Sequence, residues 1–188
     1  MPGTGDPDGT LPDTWYSGSD KAGLHRFLNS DLDLLVICVP LTPSTRGMFG
    51  QDELEVLYKN ALRRAQESPY PKLEYSPDSE RDLSRPPLPR GYGTILSNIS
   101  RGSIVDHASL VTYLTRHHLL GAALDVTDPE PLPPNNPLWE LENVIVTPHI
   151  SALGREYLSR GFGVLIENLE RKKKGQGLLN EVNRRKGY

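Results

Sequence analysis

The apolar positions of the chain fall into four short runs, separated by segments in which apolar residues recur at helical spacing. The predicted strands are Leu34–Val39, Thr94–Ile99, Gly121–Val126 and Asn143–Thr147. The predicted helices are Ala22–Leu28, Gln51–Ala65, Asp106–Arg116 and Gly154–Lys174. The first strand is continuously apolar up to Pro40, which predicts burial on both faces. Short strands that alternate with helices predict an α/β fold with a parallel sheet and flanking helices.

Two segments break this pattern. Residues 1–20 are rich in Gly, Pro, Asp, Thr and Ser, which predicts a loop or a frayed terminus. Residues 66–92 contain six prolines and many charges, including the run RDLSRPPLPRG. Such a segment buries too little apolar surface to offset the entropy lost on ordering. We therefore expect a disordered, exposed insertion there.

The composition of the chain argues against several classes of protein. The 188 residues are enough for one domain with a core, and the net charge of -3 at pH 7 gives no basic field that would attract nucleic acid. No apolar run reaches the length of a membrane span, and the opening MPGTGDPDGT does not resemble a signal peptide. The single cysteine, Cys38, predicts a reducing, cytoplasmic location and reads as a small core residue.

Polar side chains follow three of the predicted strands: Arg101 and Ser100 follow the second, Asp125 and Glu130 the third, and His149 the fourth. Because ligands of open parallel sheets bind beyond the carboxyl ends of strands, these groups are expected to converge. An Arg can hold a carboxylate through two hydrogen bonds, and a His oriented by a Glu can protonate a carbonyl oxygen. This set suits reduction of a 2-keto acid to a 2-hydroxy acid, with the hydride supplied by a nicotinamide cofactor.

Each residue taken alone also has an ordinary explanation. Arg101 could be a surface or capping residue, Glu130 a solvated loop charge, His149 a structural histidine, and Asp125 a turn cap. The strand pattern alone leaves an α/β binding domain without catalysis as an open alternative. The pair His117–His118 lacks partners at metal-ligand spacing and reads as a solvated helix end, so no metal site is predicted.

Four segments, in order along the chain, resemble those of one family. They are Val39–Gly47 (VPLTPSTRG), Asn98–Asp106 (NISRGSIVD), Leu124–Pro133 (LDVTDPEPLP) and Asn136–Ile150, with its PLW, NV and TPHI elements. Together they resemble the D-isomer-specific 2-hydroxyacid dehydrogenases, and the final segment from Asn180 to Tyr188 is most similar to the glyoxylate/hydroxypyruvate reductase branch. The resemblance covers residues 12–57 and 93–188.

The resemblance implies roles for individual residues. Arg101 would bind the substrate carboxylate and polarise the keto group, His149 would donate the proton, and Glu130 would be its partner. The residues implied to contact NAD or NADP are Val39, Pro40, Ile99, Ser100, Arg101, Asp125, His149, Ser151 and Ala152. The implied substrates are small 2-keto or 2-hydroxy acids, and the implied partner is a second copy in a homodimer or a full-length subunit.

Two departures from the family pattern shape the expected organisation. The family's GxGxxG phosphate loop is absent, since Gly3-Thr4-Gly5 has neither a preceding strand nor a following helix, and residues 58–92 replace a normally short connection. We expect a loop and the start of a partial Rossmann-like NAD(P)-binding domain at 1–57, the insertion at 58–92, the rest of that domain at 93–153 and a helix and tail at 154–188. The cofactor domain is therefore expected to be incomplete and the chain inactive by itself.

Two rivals to an enzyme remain open. The chain could be a non-catalytic remnant or isoform that binds and modulates a full-length dehydrogenase subunit, or it could be a translation product without function.

Overall fold

A computed structural model describes residue 6 and residues 8–18, 20–69, 88–89 and 91–183. Its helices are α1 (Lys21–Leu28), α2 (Gln51–Glu67), α3 (His107–Thr115) and α4 (Tyr157–Lys173). Its strands are β1 (Leu34–Ile37), β2 (Ile95–Asn98), β3 (Gly121–Leu124) and β4 (Val144–Val146). Two short 3-10 helices follow β2 and β3, at Gly102–Ile104 and Pro137–Trp139. The predicted elements are therefore present, with bounds that differ by a few residues.

The four strands form one parallel sheet in the order β1-β2-β3-β4. Each strand pairs with the next strand along the chain, as successive crossovers through helices produce. The predicted α/β fold with a parallel, Rossmann-like sheet and flanking helices is thus confirmed. All four strands end at one edge of the sheet, and this edge carries the polar side chains singled out from the sequence.

Helix α2 packs its apolar stripe into the core, with Leu54, Leu57, Tyr58, Ala61 and Ala65 buried at spacings of three, four and seven residues. The Glu53 carboxylate accepts a hydrogen bond from Gly50 N at 3.0 Å and satisfies one free donor of the first turn. The helix predicted at Gln51–Ala65 thus packs in the core and continues to Glu67.

The expected start of the insertion at residue 58 is therefore wrong, because residues 58–67 belong to α2. At the other end of the proposed insertion, Leu88 is buried in the same core as α2 and donates from its backbone N–H to His117 O at 3.0 Å. The part of the insertion at residues 70–87 and at 90 lies outside the described residues.

Within the described residues, the core lies on one face of the sheet. Leu35 and Ile37 of β1 are 2% exposed and lie in the core with side chains of α1, α2 and α3. Leu34 and Val36 point the other way and are 54% and 47% exposed. The expectation that β1 is buried on both faces is therefore wrong, because the described helices that contribute to the core cover a single face.

Two further expectations are corrected. Cys38 follows the last residue of β1 and is exposed, so it is not a core residue. His118 does not lie at a solvated helix end. It is 1% exposed, and its ring packs at 4.1 Å from the Tyr58 ring and at 5.5 Å from the Tyr113 ring.

Helix α4 contains no buried residue, and its apolar side chains, such as Leu158, Phe162 and Leu165, are more than half exposed. None of the described helices combines the length and the hydropathy needed to cross a membrane.

Candidate active site

The carboxylate of Glu130 and the imidazole of His149 meet beyond the carboxyl ends of β3 and β4. Glu130 Oε1 lies 2.6 Å from His149 Nδ1, and each side chain is 41% exposed. A carboxylate on Nδ1 fixes the orientation of the ring, as in the orienting pair of a catalytic triad. The two residues are 19 positions apart in sequence, so the fold rather than local geometry brings them together.

His149 occupies an uncommon backbone conformation. Its φ is 55°, in the left-handed region, and its N–H donates to Thr147 O at 3.0 Å. A non-glycine residue in this region needs support from its surroundings, and such residues cluster at functional sites.

The support comes from Asp125, which directly follows β3 and is 3% exposed. Its carboxylate accepts hydrogen bonds from Thr147 Oγ1 at 2.6 Å, from Ile150 N at 2.9 Å and from Ser151 N at 2.8 Å. Burial acts to raise the pKa of Asp125, but the hydrogen bonds from Ser151, Thr147 and Ile150 outweigh it and hold the pKa well below the ordinary value. Asp125 is therefore ionised at neutral pH.

A cavity of about 250 Å³ lies beside the Glu130–His149 pair. Its walls include Asp125, Thr127, Leu132 and Trp139. The indole Nε1 of Trp139 donates to Pro133 O at 2.9 Å and so ties this wall to the segment that carries Glu130. Sequence reasoning had assigned no role to Trp139, although it stands in the PLW segment that helped to define the family resemblance.

Arg101 lies on the neighbouring loop, after β2, and does not line this cavity. Its guanidinium Nη1 donates to Ser100 O at 2.7 Å. The loop itself is fixed against the loop after β3, since a Cβ at Gly102 would lie 2.0 Å from Thr127 O. The structure thus brings Glu130, His149 and Asp125 together and places Arg101 on the adjoining loop. Sequence reasoning had also missed Gly102, whose close approach to another loop leaves no signal in one sequence.

The residues expected at the nicotinamide end of the cofactor lie along the same edge. The Ser100 hydroxyl donates to Val39 O, and Ile99 N donates to Ile37 O at 3.2 Å, so the ends of β1 and β2 are joined. The Thr45 hydroxyl donates to Pro40 O at 2.7 Å and fixes the turn that follows β1. Ser151 and Ala152 are exposed just beyond His149.

A parallel sheet with a carboxylate–imidazole pair at its carboxyl edge defines a Rossmann-like ligand-binding domain. Residues 91–151 match the family described as D-isomer specific 2-hydroxyacid dehydrogenase, NAD binding domain. The resemblance inferred from the sequence motifs is therefore confirmed, with residues 91–151 similar to the NAD-binding domain of the D-isomer-specific 2-hydroxyacid dehydrogenases.

Individual relatives agree with this assignment. The chain is 34% identical to a glyoxylate reductase of Aeropyrum pernix over 89% of its own length and 40% of the relative's. Among solved structures, it resembles a D-isomer specific 2-hydroxyacid dehydrogenase of Xanthobacter autotrophicus in complex with NADPH, with a TM-score of 0.65 and 31% identity over 89% of this chain and 55% of that one.

A second similar structure is an NADPH-dependent glyoxylate/hydroxypyruvate reductase of Sinorhizobium meliloti in complex with NADP. The TM-score is 0.64 and the identity 28%, over 90% of this chain and 44% of that one. The chain thus spans roughly two fifths to just over half of the length of these relatives.

Proposed function

We propose that this chain carries the catalytic residues and the nicotinamide end of the cofactor site of an NAD(P)-dependent reductase that converts small 2-keto acids, of the glyoxylate or hydroxypyruvate type, to D-2-hydroxy acids. The observation that carries the proposal is the Glu130–His149 pair, with 2.6 Å between Oε1 and Nδ1 at the carboxyl edge of a parallel sheet. The relationship to glyoxylate reductases supports the choice of substrate class.

The geometry supports a distinct task for each of these side chains. With Nδ1 of His149 held by Glu130, Nε2 is the nitrogen that would donate a proton to the keto oxygen. Glu130 stabilises the positive charge that the ring carries before it gives up that proton. Arg101 would hold the substrate carboxylate through its planar guanidinium, for which it would leave its present hydrogen bond to Ser100 O.

The residues at the ends of β1 and β2 fit the nicotinamide end of NAD or NADP. Val39, Ile99 and Ser100 form a joined wall there through the Ser100 hydroxyl and the β1–β2 ladder. When bound, the cofactor would supply the hydride to the keto carbon. A pyrophosphate needs the backbone N–H groups of a Gly-rich loop at the start of a helix, and the 188 residues contain no GxGxxG sequence.

We further propose that the 188-residue chain alone does not turn over. Calorimetric titration with NADH and NADPH should show no binding at micromolar concentration, and assays with glyoxylate and hydroxypyruvate should show no rate above background. Micromolar binding with turnover would contradict this and would require a phosphate site elsewhere in the 188 residues.

The catalytic roles are tested in a chimera in which the preceding part of the Aeropyrum pernix glyoxylate reductase is joined to this chain. His149→Ala should lower kcat by about 100-fold or more, as expected for loss of a general acid. Arg101→Lys should be nearly as damaging as Arg101→Ala, because an ammonium cannot form the two-point contact with a carboxylate.

Two substitutions outside the site serve as controls for the chimera. His117→Ala and Arg116→Lys, at the end of α3, should leave its rate unchanged. Near-normal turnover of the His149→Ala chimera would remove His149 from the mechanism, and full activity of Arg101→Lys would favour a simple charge contact.

A second candidate function is that of a non-catalytic partner of a full-length subunit. It is favoured by the apolar side chains of α4 that remain exposed, among them Phe162 at 62% and Ile166 at 59%. Co-purification of the tagged chain with a full-length relative from the same cell, together with a change in that relative's rate, would support this function. A homodimer remains a prediction, as does the cytoplasmic location inferred from the single cysteine.

The division of the chain also remains a proposal, with a partial cofactor domain before and after the inserted segment and a separate helix and tail from residue 154. The revised bounds would end the first part at Glu67, where α2 ends, rather than at residue 57.

A further inference from the structure

The carboxylate of Asp125 faces inward, toward the turn that carries His149. Asp125 directly follows β3, and its backbone N–H continues the ladder by donating to Asn98 O at 3.0 Å. The residue is 3% exposed, so the charge needs hydrogen-bond partners inside the protein.

These partners all come from one five-residue segment, residues 147–151. Thr147 Oγ1 and Ile150 N donate to Oδ1 at 2.6 and 2.9 Å, and Ser151 N donates to Oδ2 at 2.8 Å. His149 lies between the first donor and the other two. The carboxylate therefore binds the chain on both sides of the catalytic histidine and engages both of its own oxygens.

The conformation of His149 explains why such a contact matters. Its φ of 55° lies in a region that most side chains avoid, so the turn would relax if its flanks were released. Relaxation of this turn would shift the imidazole, whose Nδ1 now lies 2.6 Å from Glu130 Oε1.

We propose that Asp125 is a positioning residue, which fixes the turn of residues 147–151 and thereby holds the His149 ring against Glu130. This is a different role from the cofactor contact that the family resemblance implies for Asp125. The consequence for proton transfer rests on the proposed function, whereas the structural contact does not.

The test is nuclear magnetic resonance on the 188-residue chain, which needs neither cofactor nor substrate. In Asp125→Asn, one carboxylate oxygen becomes an NH2 group that cannot accept from a backbone N–H. Amide hydrogen exchange of Ile150 or Ser151 should then accelerate by about tenfold or more, as expected for loss of a hydrogen bond to a charged acceptor. The signal of the His149 Nδ1 proton in its bond to Glu130 should weaken or broaden.

Two further variants provide a second probe of the contact and a matched control. Thr147→Val removes one of the three donors and should give a smaller effect of the same kind. This variant replaces Asp125→Asn in the test if Asp125→Asn does not fold. Asp128→Asn, an exposed carboxylate on the same loop, is the matched control and should change neither the exchange rates nor the His149 signals. Unchanged exchange at Ile150 and Ser151 with an unchanged His149 ring in Asp125→Asn would overturn the proposal.

Kinetics in the chimera separate this inference from the proposed function. For a positioning residue, Asp125→Asn should lower kcat and alter the pH profile of kcat that His149 sets, with little change in the KM for the cofactor. A rise in cofactor KM at unchanged kcat would instead favour a direct cofactor contact and overturn the inference. If the resonance changes occur but no version of the enzyme reduces a 2-keto acid, the positioning role stands and the proposed function fails.

Discussion

The two faces of the four-stranded sheet differ in what covers them, although the same strands supply both. On one face, Leu35, Leu96 and Ala122 are no more than 3% exposed and lie against side chains of α1, α2 and α3. On the other face, Val36 and Ile145 are 47% and 66% exposed. The register places Val36, Ser97, Ala123 and Ile145 side by side across the sheet, and the two central residues of this row are half-buried.

Helix α4 belongs to the less covered part of the molecule. Its apolar side chains recur at helical spacing, yet none is buried, while its polar side carries pairs such as Glu167–Arg171 and Glu170–Lys174. Among the described residues, α4 and the second face of the sheet therefore carry most of the exposed apolar side chains. This comparison indicates that the described residues are stabilised mainly by apolar contacts between one layer of helices and one face of the sheet.

The largest difference in the free energy of unfolding is expected between substitutions of two neighbouring residues of β2 whose side chains point to opposite faces. Leu96→Ala removes a side chain that is fully buried and should lower the free energy of unfolding by about 2–5 kcal/mol. Ile95→Ala, at a position 39% exposed, should cost less than about 1.5 kcal/mol because its surroundings are already open to solvent. Urea denaturation measures both values.

Equal losses in Leu96→Ala and Ile95→Ala would mean that the second face is covered in solution, by a second copy or by another part of the chain. Sedimentation of the two variants would then distinguish a dimer from a monomer.

The next largest difference in the free energy of unfolding is expected between substitutions of two glycines. Gly102→Ala should lower the free energy of unfolding by about 2–3 kcal/mol, because the new Cβ would lie 2.0 Å from the carbonyl oxygen of Thr127 and the two loops would have to separate. Gly161→Ala in α4 is the matched control, since nothing lies within 4 Å of its Cβ, and it should cause no loss. A tolerated Gly102→Ala would show that the loops after β2 and β3 are not held together as described.

The sequence predicted the parts of this structure that depend on local pattern. The strands and the carboxyl edge followed from short apolar runs and from the rule that parallel strands end together, and the helices followed from apolar residues at helical spacing. The parts that depend on distant neighbours were not predicted. Val36 looks like a core residue by its apolar context, but it is 47% exposed because the described helices of the core pack on the other face of the sheet.

His118 shows the opposite error, since a residue predicted to be exposed is buried. It follows a helix end and reads as a surface residue, but tertiary packing places its ring between Tyr58 and Tyr113. The positions of Glu130 and His149 could be inferred from topology. The contacts of Asp125 with the turn around His149 could not, since they depend on a non-glycine residue with a positive φ.

A smaller, pH-dependent effect is expected on the covered side. The Asp106 side chain caps α3 by accepting from Ser109 N at 2.8 Å, and hydrogen bonds from the Ser109 side chain and backbone hold the pKa of Asp106 below its ordinary value. Asp106→Ala should cost about 1 kcal/mol at neutral pH. A lowered folded-state pKa contributes stability above the ordinary value, so this cost should shrink as the pH falls below about 4.

Asp106→Asn is the control for the cap, because an amide oxygen can still accept from Ser109 N without titrating. It should retain most of the stability at neutral pH and show no such change in acid. A cost of Asp106→Ala that is the same at neutral pH and in acid would indicate that the charge of the cap is irrelevant.

The smallest effect is expected on α4. Phe162 is 62% exposed, so Phe162→Ala should change the free energy of unfolding of the chain by less than about 0.5 kcal/mol, whereas truncation of a buried Phe costs about 3–5 kcal/mol. Thermal and urea denaturation at low protein concentration measure this change, and Ser159→Ala on the same helix is an exposed polar control. A loss above about 1 kcal/mol that grows with protein concentration would show that α4 packs against a second copy. A loss that is independent of concentration would instead show that α4 packs against its own chain in solution, and the contrast between the covered and the open side of the molecule would then disappear.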